Sequence, residues 1–230
     1  MEKYKNEILL FGPQSEDETL WEAAVWLKQV LQEFDSLFFN GEGKFNTWRN
    51  KEYDVYSEDF VKVVLKEWMR YSPKVSIKFT PETKLLLPMS FHFYVNEEYN
   101  ISLSFGNTTG SCIVSVESYK ETNDRQFIDM LKFFIMKFEP EWGGIQNYEF
   151  WSKIAHQDAY TDYRVGWVQY FPYPIIVPAQ ILENYRWEEI EGKGILVRLT
   201  EEEFSCSNPD HIKKGLEMVK LYNELEFKRK

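Results

Sequence analysis

The chain has 230 residues, 43% hydrophobic and 17% aromatic, with a net charge of −10 spread over its whole length. That size can bury a substantial core, and the acidic field repels nucleic acid and anionic membranes while attracting basic proteins. No apolar run approaches the ~20 residues that span a bilayer, Met1–Glu7 is too charged for a signal peptide, and Cys112 and Cys206 form no disulfide framework, so a cytoplasmic protein is expected.

Glu7 to Phe11 reads as a first strand, ended by Gly12-Pro13. Ser15 and Glu18 match a capping box. Leu20, Ala24, Leu27, Leu31 and Phe34 then mark one face of a helix over 16–35. Residues 36–56, broken by Gly41 and Gly43, read as loop with a short strand. Ser57 caps a helix over 58–70, with Phe60, Val61, Val64, Leu65 and Trp68 inward.

Strands are expected at 75–79, 86–95, 101–105 and 112–116, joined by hairpin-length turns and therefore antiparallel. Ile101-Ser-Leu-Ser-Phe105 alternates strictly, which buries one face. Cys112 falls inside the last of these strands. Phe127, Leu131, Phe134, Ile135 and Phe138 define a helix over 124–138, with Pro140 beyond it.

Residues 141–164 read as irregular, with a helical turn near Tyr148–Ala155. Val165 to Phe171 reads as a strand cut off by Pro172 and Pro174. Residues 187–191 and 195–199 flank Gly192-Lys193-Gly194 as a hairpin. Asn208 caps the last helix and Pro209 takes its first position, where a missing N–H costs nothing. The expected fold is one α+β domain over residues 1–230, an antiparallel sheet with helices mainly on one face.

No residue set predicts catalysis. His92, His156 and His211 show no metal-ligand spacing, and His156 with Asp158 is not a complete ligand set, so neither metal nor cofactor is expected. There is no G-x-S-x-G and no phosphate-binding loop, and no base is placed beside a cysteine. Glu97-Glu98, Glu188-Glu189, Glu191 and Glu201-Glu202-Glu203 read as solvated surface or as a patch that steers a cationic partner. In 141–164, Trp151 reads as a core anchor. Asp158, Tyr160, Asp162 and Tyr163 are the candidate partner-binding residues, because aromatic and acidic side chains in an irregular segment suit an interface with a basic protein.

Gly166-Trp167, Tyr170-Phe171-Pro172, Glu203-Phe204 and Asn208-Pro209-Asp210-His211 occur in that order. In order and spacing, over about 164–222, they resemble the C-terminal half of the immunity protein 52 family. Gly166, Trp167, Asn208 and Pro209 read as its structural signature. Val168-Gln169 and the basic Lys228-Arg229-Lys230 depart from its pattern. The resemblance implies a non-catalytic antidote that binds a cognate toxin of the bacterial cell's own kind, a nuclease with a basic cleft. Two other readings are a hydrolase with an acidic cleft for a sugar or small molecule, and a non-catalytic adaptor. The hydrolase would need two carboxylates about 5–10 Å apart in a pocket.

Overall fold

The computed structural model describes residues 6–13, 19–46, 51–71, 89–96, 98–105, 111–118, 124–157 and 164–224. In chain order come β1 (Asn6–Pro13), α1 (Leu20–Phe39), β2 (Phe45–Asn46), β3 (Glu52–Tyr53), α2 (Phe60–Tyr71), β4 (Met89–Val95), β5 (Tyr99–Phe105) and β6 (Ser111–Ser118). Then follow α3 (Asp124–Phe138), β7 (Trp142–Asn147), a π-helical turn (Phe150–Ile154), β8 (Val168–Pro172), α4 (Ala179–Asn184), β9 (Arg186–Ile190), β10 (Gly194–Arg198) and α5 (Pro209–Glu224). The strand expected at 75–79 lies outside the described residues. The class is α+β, and the strand pairs of each unit described below are antiparallel. The residues cluster as two compact units, 12–119 and 1–11 with 120–230.

In the first unit the strands run in the order β3-β2-β4-β5-β6. Phe91, Phe93, Val95, Ile101, Leu103, Val114 and Val116 are buried on one face. Their neighbours Ser90, His92, Ser102 and Ser104 line the other, where Ser90 meets Ser104 at 2.8 Å and His92 meets Ser102 at 2.7 Å. Both helices sit on the buried face. Phe39 of α1 packs against Tyr99, and Phe60 of α2 against Phe93. Lys28 and Gln32 of α1 donate to the carbonyls of Ser57 and Val55, which fixes the entry to α2.

The first helix starts later than expected. Its N-cap is Thr19, not Ser15, because Thr19 and Glu22 close a full capping box. Both pairs fit the sequence pattern. The cap at Thr19 leads directly into the stripe Leu20, Ala23, Ala24, Leu27, Val30, Leu31 and Phe34, all buried. The helix also runs on to Phe39, where Asn40 ends it in the left-handed region. Thr19→Ala is expected to cost about 1 kcal/mol, seen as a lower thermal midpoint. An unchanged midpoint would mean that the cap contributes nothing.

In the second unit the order is β1-β7-β8-β10-β9. The strand β7 overturns the irregular reading of 141–147. Every residue of it is buried, and it pairs with β1 on one side and β8 on the other. Gly143 and Gly144 sit inside this strand although glycine is depleted in strands. Here glycine permits a close backbone approach. A Cβ on Gly144 would lie 2.0 Å from the Val168 carbonyl oxygen.

Helices cover both faces of this sheet. Tyr170 and Phe171 are neighbours on β8 and point to opposite faces. Glu188 lies on the Tyr170 side, across Leu196, and accepts from Lys132 of α3 at 2.7 Å. Phe171 packs edge-on against Tyr222 of α5, with ring centroids 6.3 Å apart. The expectation of helices mainly on one face therefore describes the first unit, while α3 and α5 enclose the central strands of the second. The short α4, which nothing in the apolar spacing announced, follows Pro178.

Candidate partner-binding surface

Asp158, Tyr160, Asp162 and Tyr163 lie outside the described residues. The residues that flank them are well held. Gln157 accepts the Val165 N–H through its side chain at 2.8 Å, which ties the two ends of the segment together. The Arg164 guanidinium lies 4.1 Å from the Trp151 ring centroid and donates to Gln146 at 3.4 Å. Trp151 is thus half-buried beneath a cation.

The residues behind the sequence signature are internal. Trp167 is 1% exposed, and its indole N–H donates to the Thr200 carbonyl at 3.1 Å. Gly166 precedes it where a Cβ would meet the Ile145 carbonyl oxygen at 2.2 Å. The strand itself begins only at Val168, although Val165 onward is buried. Asn208 accepts the Asp210 N–H at 3.0 Å and Pro209 opens α5. His211 accepts the Ser205 N–H through Nδ1 at 3.1 Å, so neutral imidazole carries its proton on Nε2 and donates to Glu202 at 3.0 Å. Phe204 packs between Phe150 and His211.

The acidic clusters are largely spoken for inside the fold. Glu201 pairs with Arg186, Glu202 with His211, and Glu203 accepts from Asn6. Burial pushes the Glu188 carboxyl up, but hydrogen bonds from Lys132 and Arg198, with their charges, outweigh it and hold the group below its ordinary range. Sequence alone could not distinguish these paired acids from solvated ones, because each partner lies on another segment, from nine to 197 residues away.

A different surface keeps its acids facing outward. Beyond β8 the chain turns at Pro172 and Pro174, and a recess of about 480 Å³ opens there. Tyr170, Tyr173 and the two prolines form its walls, and Glu139, Glu141 and Lys193 contribute from other segments. The Tyr170 hydroxyl donates to the Lys193 carbonyl at 2.9 Å. Burial, with the nearby Glu139 charge, pushes that phenol up to about 12, so it remains a donor. The Lys193 ammonium pairs with Glu139, and Tyr173 donates to Glu189 at 2.9 Å. Just beyond the recess Ile176 is 88% exposed, and Tyr173 is 46% exposed. Trp187 is 47% exposed on β9, on the face opposite Tyr170, and β9 has β10 as its only strand neighbour in the order.

Burial, with repulsion from Glu149 only partly offset by Lys153, pushes the Cys206 thiol up to about 11. It stays protonated and donates to Asn147 at 3.2 Å. Among the described residues no three His, Cys, Asp or Glu side chains gather as metal ligands. No helix among them is long and apolar enough to cross a membrane.

No curated protein matches the chain. A family model described as immunity protein 52 matches residues 104–225, more than half of the chain. That span contains the recess, the β9–β10 hairpin, Gly166-Trp167 and the capped α5. The chain therefore belongs to the immunity protein 52 family.

Proposed function

We propose that the chain is a cytoplasmic antidote that binds a cognate toxin, a basic nuclease, and neutralises it without chemistry of its own. The observation that carries this reading is the family match over residues 104–225. A nuclease needs positive charge to hold phosphate, and a net charge of −10 draws such a protein in from a distance. Exposed tyrosine, tryptophan and isoleucine supply anchors that slow dissociation once water is expelled.

The direct test is co-expression with the product of the neighbouring gene. Restored growth and a stable complex of the two purified proteins are the expected results. A neighbouring product that poisons cells regardless of this chain, and does not bind it, would overturn the reading. Hydrolysis of model glycosides by the purified protein would instead favour the sugar hydrolase.

The segment at 158–163 belongs to the proposed interface. Asp158 and Asp162 would steer the toxin, with Tyr160 and Tyr163 as contacts, because acidic and aromatic side chains together suit an interface with a basic protein. Reversing both charges, Asp158→Lys with Asp162→Lys, should lower the association rate roughly tenfold at low salt and much less at high salt. Association rates measured at two ionic strengths decide this. Equal rates for the two proteins at low salt would remove the segment from the interface.

A further inference from the structure

We propose that β9 pairs edge to edge with β9 of a second copy of the chain, antiparallel and in the register that sets Trp187 against itself. This pairing does not depend on the toxin reading. Three observations point to it.

The first is the state of the edge. β9 closes the order β1-β7-β8-β10-β9 and has β10 as its only strand neighbour among the described residues. Its five residues pair with β10 without a bulge, and they include no proline and no lysine. Bulges, prolines and lysines are the devices that usually blunt an edge. An edge strand aims alternate N–H and C=O groups away from its sheet, and an added strand satisfies them. In the first unit the order ends instead on β3, whose two residues offer little to pair with.

The second is Trp187, which is 47% exposed. Tyr185 before β9 is already extended, at φ −127° and ψ 149°. The stretch able to pair therefore runs over 185–189, and Trp187 is its centre. Two indoles directly opposite on neighbouring strands would cover each other, a favourable cross-strand contact.

The third is charge complementarity. Two identical antiparallel strands are related by a two-fold axis, so one residue faces its own copy. Centring on Arg186, Glu188 or Glu189 opposes that charge to itself, and centring on Ile190 opposes Glu189 to Glu191. Like charges directly opposite are destabilising. Of the five residues of β9, only Trp187 as centre avoids this. It sets Arg186 against Glu188 twice and Tyr185 against Glu189 twice. A strand that is its own complement in one register selects a second copy as the occupant. Arg186 and Glu188 share one face of β9, and Trp187 and Glu189 the other. Glu188 accepts from Lys132 through Oε2 and from Arg198 through Oε1, yet a carboxylate has about four acceptor sites, so a third donor fits. Arg186 holds Glu201 at 2.6 Å, a solvated pair that costs little to exchange.

The experiment is sedimentation equilibrium of the purified chain up to high micromolar concentration. The native chain should form a dimer. Trp187→Lys and Trp187→Glu each set like charges against each other and should weaken the dimer at least tenfold. An equal mixture of these two variants, one carrying an affinity tag, should recover a mixed dimer. Arg186→Glu, which would face Glu188 of the second copy, should also weaken the dimer at least tenfold. The substituted side chains are exposed, so thermal midpoints should stay near the native value. If a Trp187 variant fails to fold, Arg186→Glu carries the comparison. A native chain that is monomeric throughout overturns the proposal and leaves the edge for a strand of a different protein. A native dimer that the variants leave within twofold overturns it too, as does a mixture of the two Trp187 variants that stays monomeric.

Discussion

Replacing Gly144 with alanine is expected to cost at least ~3 kcal/mol, the upper end for an overpacked site. The added methyl carbon would sit 2.0 Å from the Val168 carbonyl oxygen and 3.2 Å from the Gln169 Cα. Those are backbone atoms of β8, so no side-chain rotation relieves the clash. Either the β7–β8 pairing opens or the whole strand shifts, and β7 is buried along its full length. Gly192→Ala is the matched control. It meets nothing within 4 Å, and only its left-handed φ of 68° is unfavourable, at about 1 kcal/mol. Urea unfolding of the two variants gives the comparison. A Gly144→Ala midpoint equal to that of Gly192→Ala would refute the close approach of the strands.

The second large effect is expected at Trp167. Trp167→Ala should lose about 3–5 kcal/mol, as large-to-small changes of buried aromatics do. The side chain is 1% exposed and its N–H satisfies the Thr200 carbonyl. It also stands beside the link from its own carbonyl to the Leu199 N–H, so its packing supports the exit of β10. Trp167→Phe separates the two contributions. It keeps most of the apolar area but drops the indole donor and leaves a smaller cavity, which together should cost about 1–3 kcal/mol. Equilibrium unfolding of both variants, with near-ultraviolet dichroism to follow tertiary packing, is the measurement. Equal stability of Trp167→Ala and the native chain would mean that the Gly-Trp signature does not serve the fold and must be sought in the interface.

Both residues lie inside the unit that carries the recess. Loss of that unit should abolish partner binding as a secondary consequence. Substitutions of exposed side chains leave the core untouched, so stability and affinity can be separated experimentally. That distinction decides whether a loss of protection reflects a failed fold or a failed interface.

Local features are legible in the chain before it folds. The helix over Asp124–Phe138 is legible residue for residue, because its apolar stripe repeats at three and four and Pro140 stops it. The alternation in Tyr99–Phe105 places Ile101 and Leu103 inside and Ser102 and Ser104 opposite them. Asn208-Pro209 marks the start of α5, since a cap needs only a side-chain oxygen and a residue without an N–H. The order of Gly166-Trp167, Phe204 and Asn208 also carries the resemblance to the family whose model matches.

The rest depends on packing, because the deciding partner lies on another segment of the chain. Gly143-Gly144 reads as a break until β1 and β8 press against it and leave no room for a side chain. The acids of Glu201–Glu203 look alike in sequence, yet each finds a different distant partner in Arg186, His211 and Asn6. The end of β8 at Pro172 was legible, but its conversion into a recess was not. That required Glu139 and Glu141 to arrive from the end of α3 and Lys193 from the β9–β10 turn. Local periodicity reports which face of an element is apolar. Only the packed chain shows which polar groups remain unspent at the surface, and those are the groups left for a partner.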